Sequence, residues 1–233
     1  MKINYNKQLS EKFIREFQDE VDWDHISANQ ELSNDFIREF QNKVNWAYIV
    51  IYQKLSEEFI REFQDKVDWK LISIDQILSE NFIREFQDRV NWYNISFHQK
   101  LSEDFIIKFQ DKINWFDISY RQKLSEDFIR KFQDQVDWFY ISANQKLSEN
   151  FIREFQNKVD WINISRYQKL NIKFILEFQY KINWKSLLKK HEYNLIFLNN
   201  KYQIIYNNYN SDYLEFPEFV NLALKLISLK AFQ

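Results

Sequence analysis

The sequence contains no glycine, no cysteine and only one proline among its 233 residues. The absence of glycine excludes a Walker A loop, a Rossmann fingerprint and an EF-hand loop, because each needs glycine for a sharp turn or a close backbone approach. The absence of cysteine excludes disulfides, thiolate zinc sites and cysteine nucleophiles, and it fits a reducing compartment. We therefore expect a protein without a cofactor.

The charge is nearly balanced, with 32 Lys and Arg against 34 Asp and Glu, which gives a net charge of −2. Such a balance gives no basic footprint for nucleic acid or an anionic membrane. Residues 1–7 contain no apolar signal-peptide segment, and no apolar run approaches the roughly 18 residues of a membrane span. We expect a cytoplasmic protein that is neither secreted nor inserted in a membrane.

The eight tryptophans recur at a constant interval of 23 residues, from Trp23 to Trp184. A fixed period of this length is typical of a repeat architecture. Counted from its leading leucine (place 1), the array has seven tandem repeats over residues 9–169 and a degenerate eighth over 170–192. Residues 1–8 are predicted to form a partial N-terminal cap, and residues 193–233 a C-terminal capping segment.

Each repeat reads L-S-E-x-F-I-R-E-F-Q-D-K-V-[DN]-W-x-x-I-S-x-x-Q-K, which predicts two short helices. Serine at place 2 caps helix A, which is expected to run to about place 11, with Glu57 and Arg61 paired on its surface in the third repeat. Asp or Asn at place 14 caps helix B, which is expected to end near place 23. A coiled coil is excluded because 23 is not a multiple of seven and two cap signals interrupt every repeat.

One such repeat buries too little apolar surface to offset the conformational entropy of folding, so adjacent repeats must share cores. The predicted fold is therefore all-α, an α-solenoid of short two-helix repeats. In the eighth repeat, places 3, 7 and 11 become Ile172, Leu176 and Tyr180, an apolar face that the tail is expected to cover. Within the tail, 195–198 and 202–206 predict a small β-hairpin, and 219–229 a closing helix.

The run L-S-x-x-F-I-x-x-F-x-x-x-V-[DN]-W-x-x-I-S resembles tandem repeats in proteins of mimivirus-like giant DNA viruses. The resemblance covers residues 9–192 and implies a helical repeat protein of viral origin, without any assigned activity. The location it implies is the cytoplasm of an infected host cell. The run is also faintly similar to an F-box, but serine replaces the proline and the period is too short for a whole F-box.

Places 16, 17, 20 and 21 lie on one arc of helix B, opposite the apolar Trp and Ile of places 15 and 18. These places vary between repeats and are often aromatic, whereas places 4 and 12 vary mainly among polar residues, as solvated positions do. Exposed aromatics beside Asn, Asp and His are typical of a recognition surface. The predicted partner-binding residues are Tyr48, Tyr52, Tyr93, Phe97, Phe116, Tyr120, Phe139, Tyr140 and Tyr167. The alternative is that these aromatics pack between repeats.

Glutamine recurs at places 10 and 22 of the repeat. A polar binding row is one interpretation. The favoured one is a buried or half-buried amide ladder that satisfies backbone groups at the turns.

We therefore expect a non-enzymatic scaffold that binds an unknown protein partner. No catalytic or metal-binding residue is predicted, because the three histidines occupy three different places of the repeat. Two alternatives remain open: a structural, self-assembling element such as a particle component, and a nucleic-acid reader.

Overall fold

The computed structural model describes residues 3–5, 7–183, 186–187, 193–198, 201–206 and 209–213. The predicted α-solenoid of short two-helix repeats is confirmed, with helices that recur at the 23-residue period. The chain divides into two compact units, residues 1–117 and 118–233, and each unit is described by itself. Within the described part of the chain, no helix is long and apolar enough to cross a membrane.

Helix A of each repeat occupies places 3–8, and helix B of the first seven repeats occupies places 15–21. The A helices are α1 (Glu11–Glu16), α3 (Asn34–Glu39), α5 (Glu57–Glu62), α7 (Glu80–Glu85), α9 (Glu103–Lys108), α11 (Glu126–Lys131), α13 (Glu149–Glu154) and α15 (Ile172–Glu177). The B helices are α2 (Trp23–Asn29), α4 (Trp46–Tyr52), α6 (Trp69–Asp75), α8 (Trp92–His98), α10 (Trp115–Arg121), α12 (Trp138–Asn144) and α14 (Trp161–Tyr167).

The predicted N-caps are confirmed in both helices of the repeat. The hydroxyl of Ser56 accepts from the Phe59 N–H at 3.2 Å, and the Asp68 carboxylate accepts from the Lys70 N–H at 2.7 Å. Each cap satisfies backbone donors that the first turn of a helix leaves without an intrahelical partner.

Both helices end earlier than predicted, and neither ends on a left-handed residue. Helix A stops at place 8 because the next residue, Phe63, leaves the helical region at φ −108° and ψ 26°. Helix B stops at place 21 because Gln76 is extended, at φ −99° and ψ 145°. Since both C-cap residues have negative φ, these helix ends need no glycine, which fits its absence from the sequence.

The core is made from the Phe and Ile residues of helix A and the Ile of helix B. Phe59 and Ile60 of α5 and Ile72 of α6 are at most 1% exposed. The half-buried ring of Trp69 lies against Phe86 of the following repeat, with ring centroids 4.8 Å apart. Adjacent repeats therefore share one apolar core, as expected for units that cannot fold alone.

The glutamine ladder at place 22 is confirmed as a buried structural element. Gln76 is 6% exposed. Its Oε1 accepts from the Leu55 N–H at 3.0 Å, and its Nε2 donates to the Gln53 carbonyl at 2.9 Å. In the second unit, the amide of Gln168 makes the same bonds to Leu147 and Gln145. Each amide thus joins the backbone at the start of its own repeat to the backbone of the preceding repeat, and these glutamines are not an exposed binding row.

Surface ion pairs also join neighbouring repeats. The predicted pair between Arg61 and Glu57 is present, with Nη2 and Oε2 3.7 Å apart, and Arg61 also contacts Glu85 of the next repeat at 2.9 Å. The same Arg–Glu contact recurs in both units. The hydrogen bonds that Arg15, Arg38, Arg130 and Arg153 donate to a glutamate of the next repeat raise the pKa of these arginines.

Place 12 is exposed in the first seven repeats, as predicted for a solvated position, but it also links neighbouring repeats, which the sequence did not predict. Lys43, at place 12, contacts Asp19 of the preceding repeat at 2.8 Å and donates to Gln18 Oε1 at 3.0 Å. Its ammonium group also lies 6.0 Å from the ring centroid of Trp23. Place 12 remains polar because it links repeats, so its variation is no measure of a tolerant surface.

The predicted β-hairpin is present in the tail, extended by a third strand. β1 (Tyr193–Leu198), β2 (Lys201–Tyr206) and β3 (Tyr209–Tyr213) form an antiparallel sheet in the order β1-β2-β3. The third strand was missed because Asn, Ser and Asp at its centre disfavour strands. The predicted closing helix at 219–229 lies outside the described residues.

The tail was expected to cover the apolar face of the eighth repeat. Tyr180 of this face is 91% exposed.

Candidate functional site

All nine predicted aromatic residues lie on B helices, and none of them is buried. Three are half-buried: Tyr48, Phe97 and Tyr140. The exposed fractions of the other six are Tyr52 59%, Tyr93 61%, Phe116 50%, Tyr120 40%, Phe139 54% and Tyr167 41%. By contrast, the phenylalanines at place 5 of helix A are almost fully buried from Phe36 onwards.

The four places of the arc are not equivalent. The residues described at places 16 and 21 are exposed, whereas those at place 17 are buried or half-buried. Asn94, Asp117 and Asn163, all at place 17, are 6%, 1% and 5% exposed. The expectation that all four places face outward is therefore wrong at place 17 when it carries Asn or Asp.

The amides at place 17 serve the contact between adjacent B helices. Asn163 Nδ2 donates to the Phe139 carbonyl at 3.1 Å, and Asn94 Nδ2 donates to the Lys70 carbonyl at 3.4 Å. Asn recurs at this place in the sequence. This recurrence could have indicated an inward position, because a polar side chain between packed helices needs a hydrogen-bond partner.

In the first unit the helix B surface combines aromatics with charges of both signs. Tyr48 and Tyr52 of α4 lie one above the other, with ring centroids 6.1 Å apart. Tyr93 opens α8 and is 61% exposed. Lys70 and Asp75 lie on α6 between these two helices and are both exposed. This surface offers apolar anchors without a dominant sign of charge.

In the second unit the aromatics form a contiguous cluster. The ring centroids of Tyr120 and Tyr140 are 4.9 Å apart, and Phe139 meets Tyr140 edge to face at 5.3 Å. Ile162, at the same place of the next repeat as Phe139, is 52% exposed. Sequence reasoning missed Ile162 because it selected aromatic residues only.

Arginine side chains stack on two of these rings. The guanidinium carbon of Arg121 lies 5.0 Å from the Tyr120 ring centroid, and that of Arg166 lies 5.6 Å from the Tyr167 centroid. Asn144 lines a shallow pocket at the ends of α12 and α14 together with Lys146, Tyr167 and Lys169. The surface thus combines apolar rings, cations and amides along adjacent helices.

The structure also bears on the chemistry of the polar residues. Within the described ranges, no group of three or more His, Cys, Asp or Glu side chains could hold a metal ion. The hydroxyl of the serine at place 19 forms hydrogen bonds with backbone groups. In α14, Ser165 donates to the Trp161 carbonyl at 2.6 Å and accepts from the Asn183 N–H at 2.9 Å.

Comparisons with protein-family models, with curated proteins and with solved structures found no match. The resemblance to giant-virus repeat proteins stays a prediction.

Proposed function

We propose that the protein is a non-enzymatic interaction scaffold that binds a protein partner through the outward side chains of its B helices. One observation carries the proposal. Nine large apolar side chains of the described residues are exposed, and seven of them lie at places 16, 20 or 21 of helix B. Exposed apolar side chains that concentrate on one face are typical of interaction surfaces.

The support beneath these side chains favours recognition by a preformed surface. The B helices are capped at their starts and tied to their neighbours by glutamine hydrogen bonds and, except at Val50 of the second repeat, by serine hydrogen bonds. Buried isoleucine packs beneath them. Tyr93 and Phe139 therefore project from a backbone that binding need not reorganise. Rigid aromatic anchors of this kind give much contact area for little conformational entropy, and they dominate many interfaces.

The polar chemistry of the repeat is used for folding. Ser165 and its equivalents link repeats, the place 2 serines cap helices, and the glutamines of place 22 bind backbone groups. Because the recurring hydroxyl and amide groups already serve the fold, a binding role is favoured over catalysis. We place the protein in the cytoplasm, of an infected host cell if it is viral, in line with the sequence.

The test is affinity capture from the natural host cell with three forms of the protein. We call the nine predicted aromatic residues of the B helices the aromatic row. The native form is compared with a variant in which the six exposed members of this row become Ser or Asn. The matched control is Ile77→Asn, which removes an apolar side chain that is 95% exposed but lies at place 23, outside the row. Circular dichroism first establishes that all three forms are equally folded.

We expect one protein to be retained by the native form and by Ile77→Asn, and lost from the aromatic variant. Retention by all three forms would contradict the proposal. Concentration-dependent assembly without a foreign partner would instead support a structural, self-assembling role. Strongly salt-dependent retention of nucleic acid would support a nucleic-acid reader.

A further inference from the structure

The outward side of the B helices in the second unit carries charge of one sign. We define its basic–aromatic face as places 16, 17, 20, 21 and 23 between Tyr120 and Lys169. These places hold five cations and no carboxylate: Arg121, Lys123, Lys146, Arg166 and Lys169. The same places in the first unit hold Asp24, Glu31, Asp75 and Asp117 as well as lysines. A chain with a net charge of −2 thus concentrates positive charge on one surface.

Three acidic residues of the second unit that lie outside this face have partners of their own. Glu154 binds Arg130 at 2.8 Å, Asp134 binds Lys158 at 2.6 Å, and Glu126 accepts from the Ser148 N–H at 2.5 Å. Lys123 and Lys146 are both exposed, and within the described ranges neither forms an ion pair with a carboxylate. These two lysines therefore present positive charge to a partner.

The face also offers apolar anchors beside its cations. Phe139, Tyr140 and Ile162 lie in the first turns of their helices, and the cations lie in or just after the last turns. A partner that fits must present large apolar side chains towards the first turns, and negative charges towards the last turns, where the cations lie beside Tyr120 and Tyr167. Complementary charge at an interface steers association and selects the partner.

The size of the face limits the length of the bound segment. Three neighbouring B helices with spacings of about 9–10 Å span roughly 20 Å. An extended chain covers that distance with about six residues at roughly 3.3 Å each.

A peptide fits this face better than a nucleic acid. Asp137 lies at the start of α12, where its carboxylate accepts from the Phe139 N–H at 2.9 Å. Negative charge beside the first turns would repel phosphates, which a nucleic acid carries at every nucleotide. Ile162 replaces an aromatic at place 16 and offers no ring for a base to stack on. A peptide can place its carboxylates beside the cations of the last turns only.

We infer that the basic–aromatic face binds a short acidic segment of a partner protein, one that contains aromatic or large aliphatic residues. This inference rests on the proposed function and specifies the chemistry of the partner.

The test is fluorescence anisotropy with the full chain and a labelled peptide of about ten residues, composed of Asp, Glu, Trp and Leu. The test variant is Lys123→Glu with Lys146→Glu. The matched control is Lys54→Glu with Lys100→Glu, which changes the net charge equally, at the same repeat place of the first unit. A peptide with Lys replacing Asp and Glu, and a single-stranded oligonucleotide of similar length, complete the set.

We expect the acidic peptide to bind, the test variant to weaken binding about tenfold, and the matched control to change it less than about twofold. Raised salt should weaken binding by the native protein, and the Lys-containing peptide should not bind. Equal weakening by both variants, tighter binding of the oligonucleotide, or no binding of the acidic peptide would each overturn the inference. The capture experiment judges the proposed function separately, because it depends on the aromatic row and not on Lys123 or Lys146.

Discussion

The hydroxyl of Ser73 accepts a hydrogen bond at 3.0 Å from the backbone N–H of Asn91 in the next repeat. It also donates its hydrogen to the Trp69 carbonyl at 2.6 Å. One small side chain thus satisfies a backbone donor at the start of the following B helix. Its equivalents Ser27 and Ser96 bind Asn45 and Asn114 in the same way.

The second repeat departs from this rule and provides a gain-of-stability test. Val50 replaces the serine, is fully buried, and gives the N–H of Asp68 no side-chain acceptor. We expect Val50→Thr to restore the acceptor at similar volume and to stabilise the fold by about 1 kcal/mol. The measurement is the midpoint of chemical denaturation. Ser73→Ala is the converse control and should destabilise by about 1–3 kcal/mol. A Val50→Thr protein no more stable than the native one would contradict the interpretation.

The Arg–Glu contacts between repeats are interrupted at Arg84. Its Nε is buried and has no hydrogen-bond partner among the described residues, because Lys108 stands where Glu85 stands for Arg61. We expect Lys108→Glu to stabilise the fold by about 0.3–1 kcal/mol at low salt, and by less at high salt. Lys108→Ala removes the like charge without adding an acceptor. If the glutamate variant is not thermally more stable than the alanine variant, the interpretation that Arg84 lacks an acidic partner is contradicted.

The two glutamine rows should differ in their effect on stability. Gln76→Ala leaves the half-buried N–H of Leu55 and the carbonyl of Gln53 without these partners, so we expect a loss of about 1–3 kcal/mol. Gln64, at place 10, is half-buried and accepts from Arg89 on the surface at 2.9 Å. Gln64→Ala should cost about 0.5 kcal/mol or less. Equal losses in denaturant titrations would show that place 22 has no special structural role.

Substitutions of exposed and of buried aromatics should also differ in their effect on the free energy of unfolding. Tyr93 is 61% exposed and Phe82 is 0% exposed. We expect Tyr93→Ser to change the free energy of unfolding by less than about 0.5 kcal/mol, and Phe82→Ala to cost about 3–5 kcal/mol. Both variants are compared with the native protein by chemical denaturation. If Tyr93→Ser destabilised the fold like Phe82→Ala, the aromatic row would be packing and not surface.

Sequence reasoning succeeded where the information is local. The cap residues Ser56 and Asp68 lie within three residues of the N–H groups they bind, so their roles follow from spacing along the chain. The pair between Glu57 and Arg61 follows in the same way. Phe59, Ile60 and Phe63 recur at helical spacing, so their burial on one side of helix A also follows from the local sequence.

The features that the sequence did not predict depend on how one repeat stacks on the next. Arg61 reaches Glu85, and Asn163 reaches the Phe139 carbonyl, across 24 residues. No periodicity within a single repeat predicts these lateral neighbours. The early end of helix A likewise depends on one ψ angle, at Phe63, that residue identity leaves undetermined. Sequence reasoning therefore located the aromatic row but not the inward turn of place 17 or the role of place 12.

The hydrogen bonds between repeats recur at constant chain separations, 18 residues from Ser27 to Asn45 and 23 from Gln30 to Gln53. Excision of residues 32–54 would therefore join Glu31 to Leu55 and leave an equivalent set of partners across the new junction. Duplication of a whole repeat would do the same. The length of the array can thus change by recombination within the gene, and the outward side chains of one helix B can be gained or lost together without redesign of the fold.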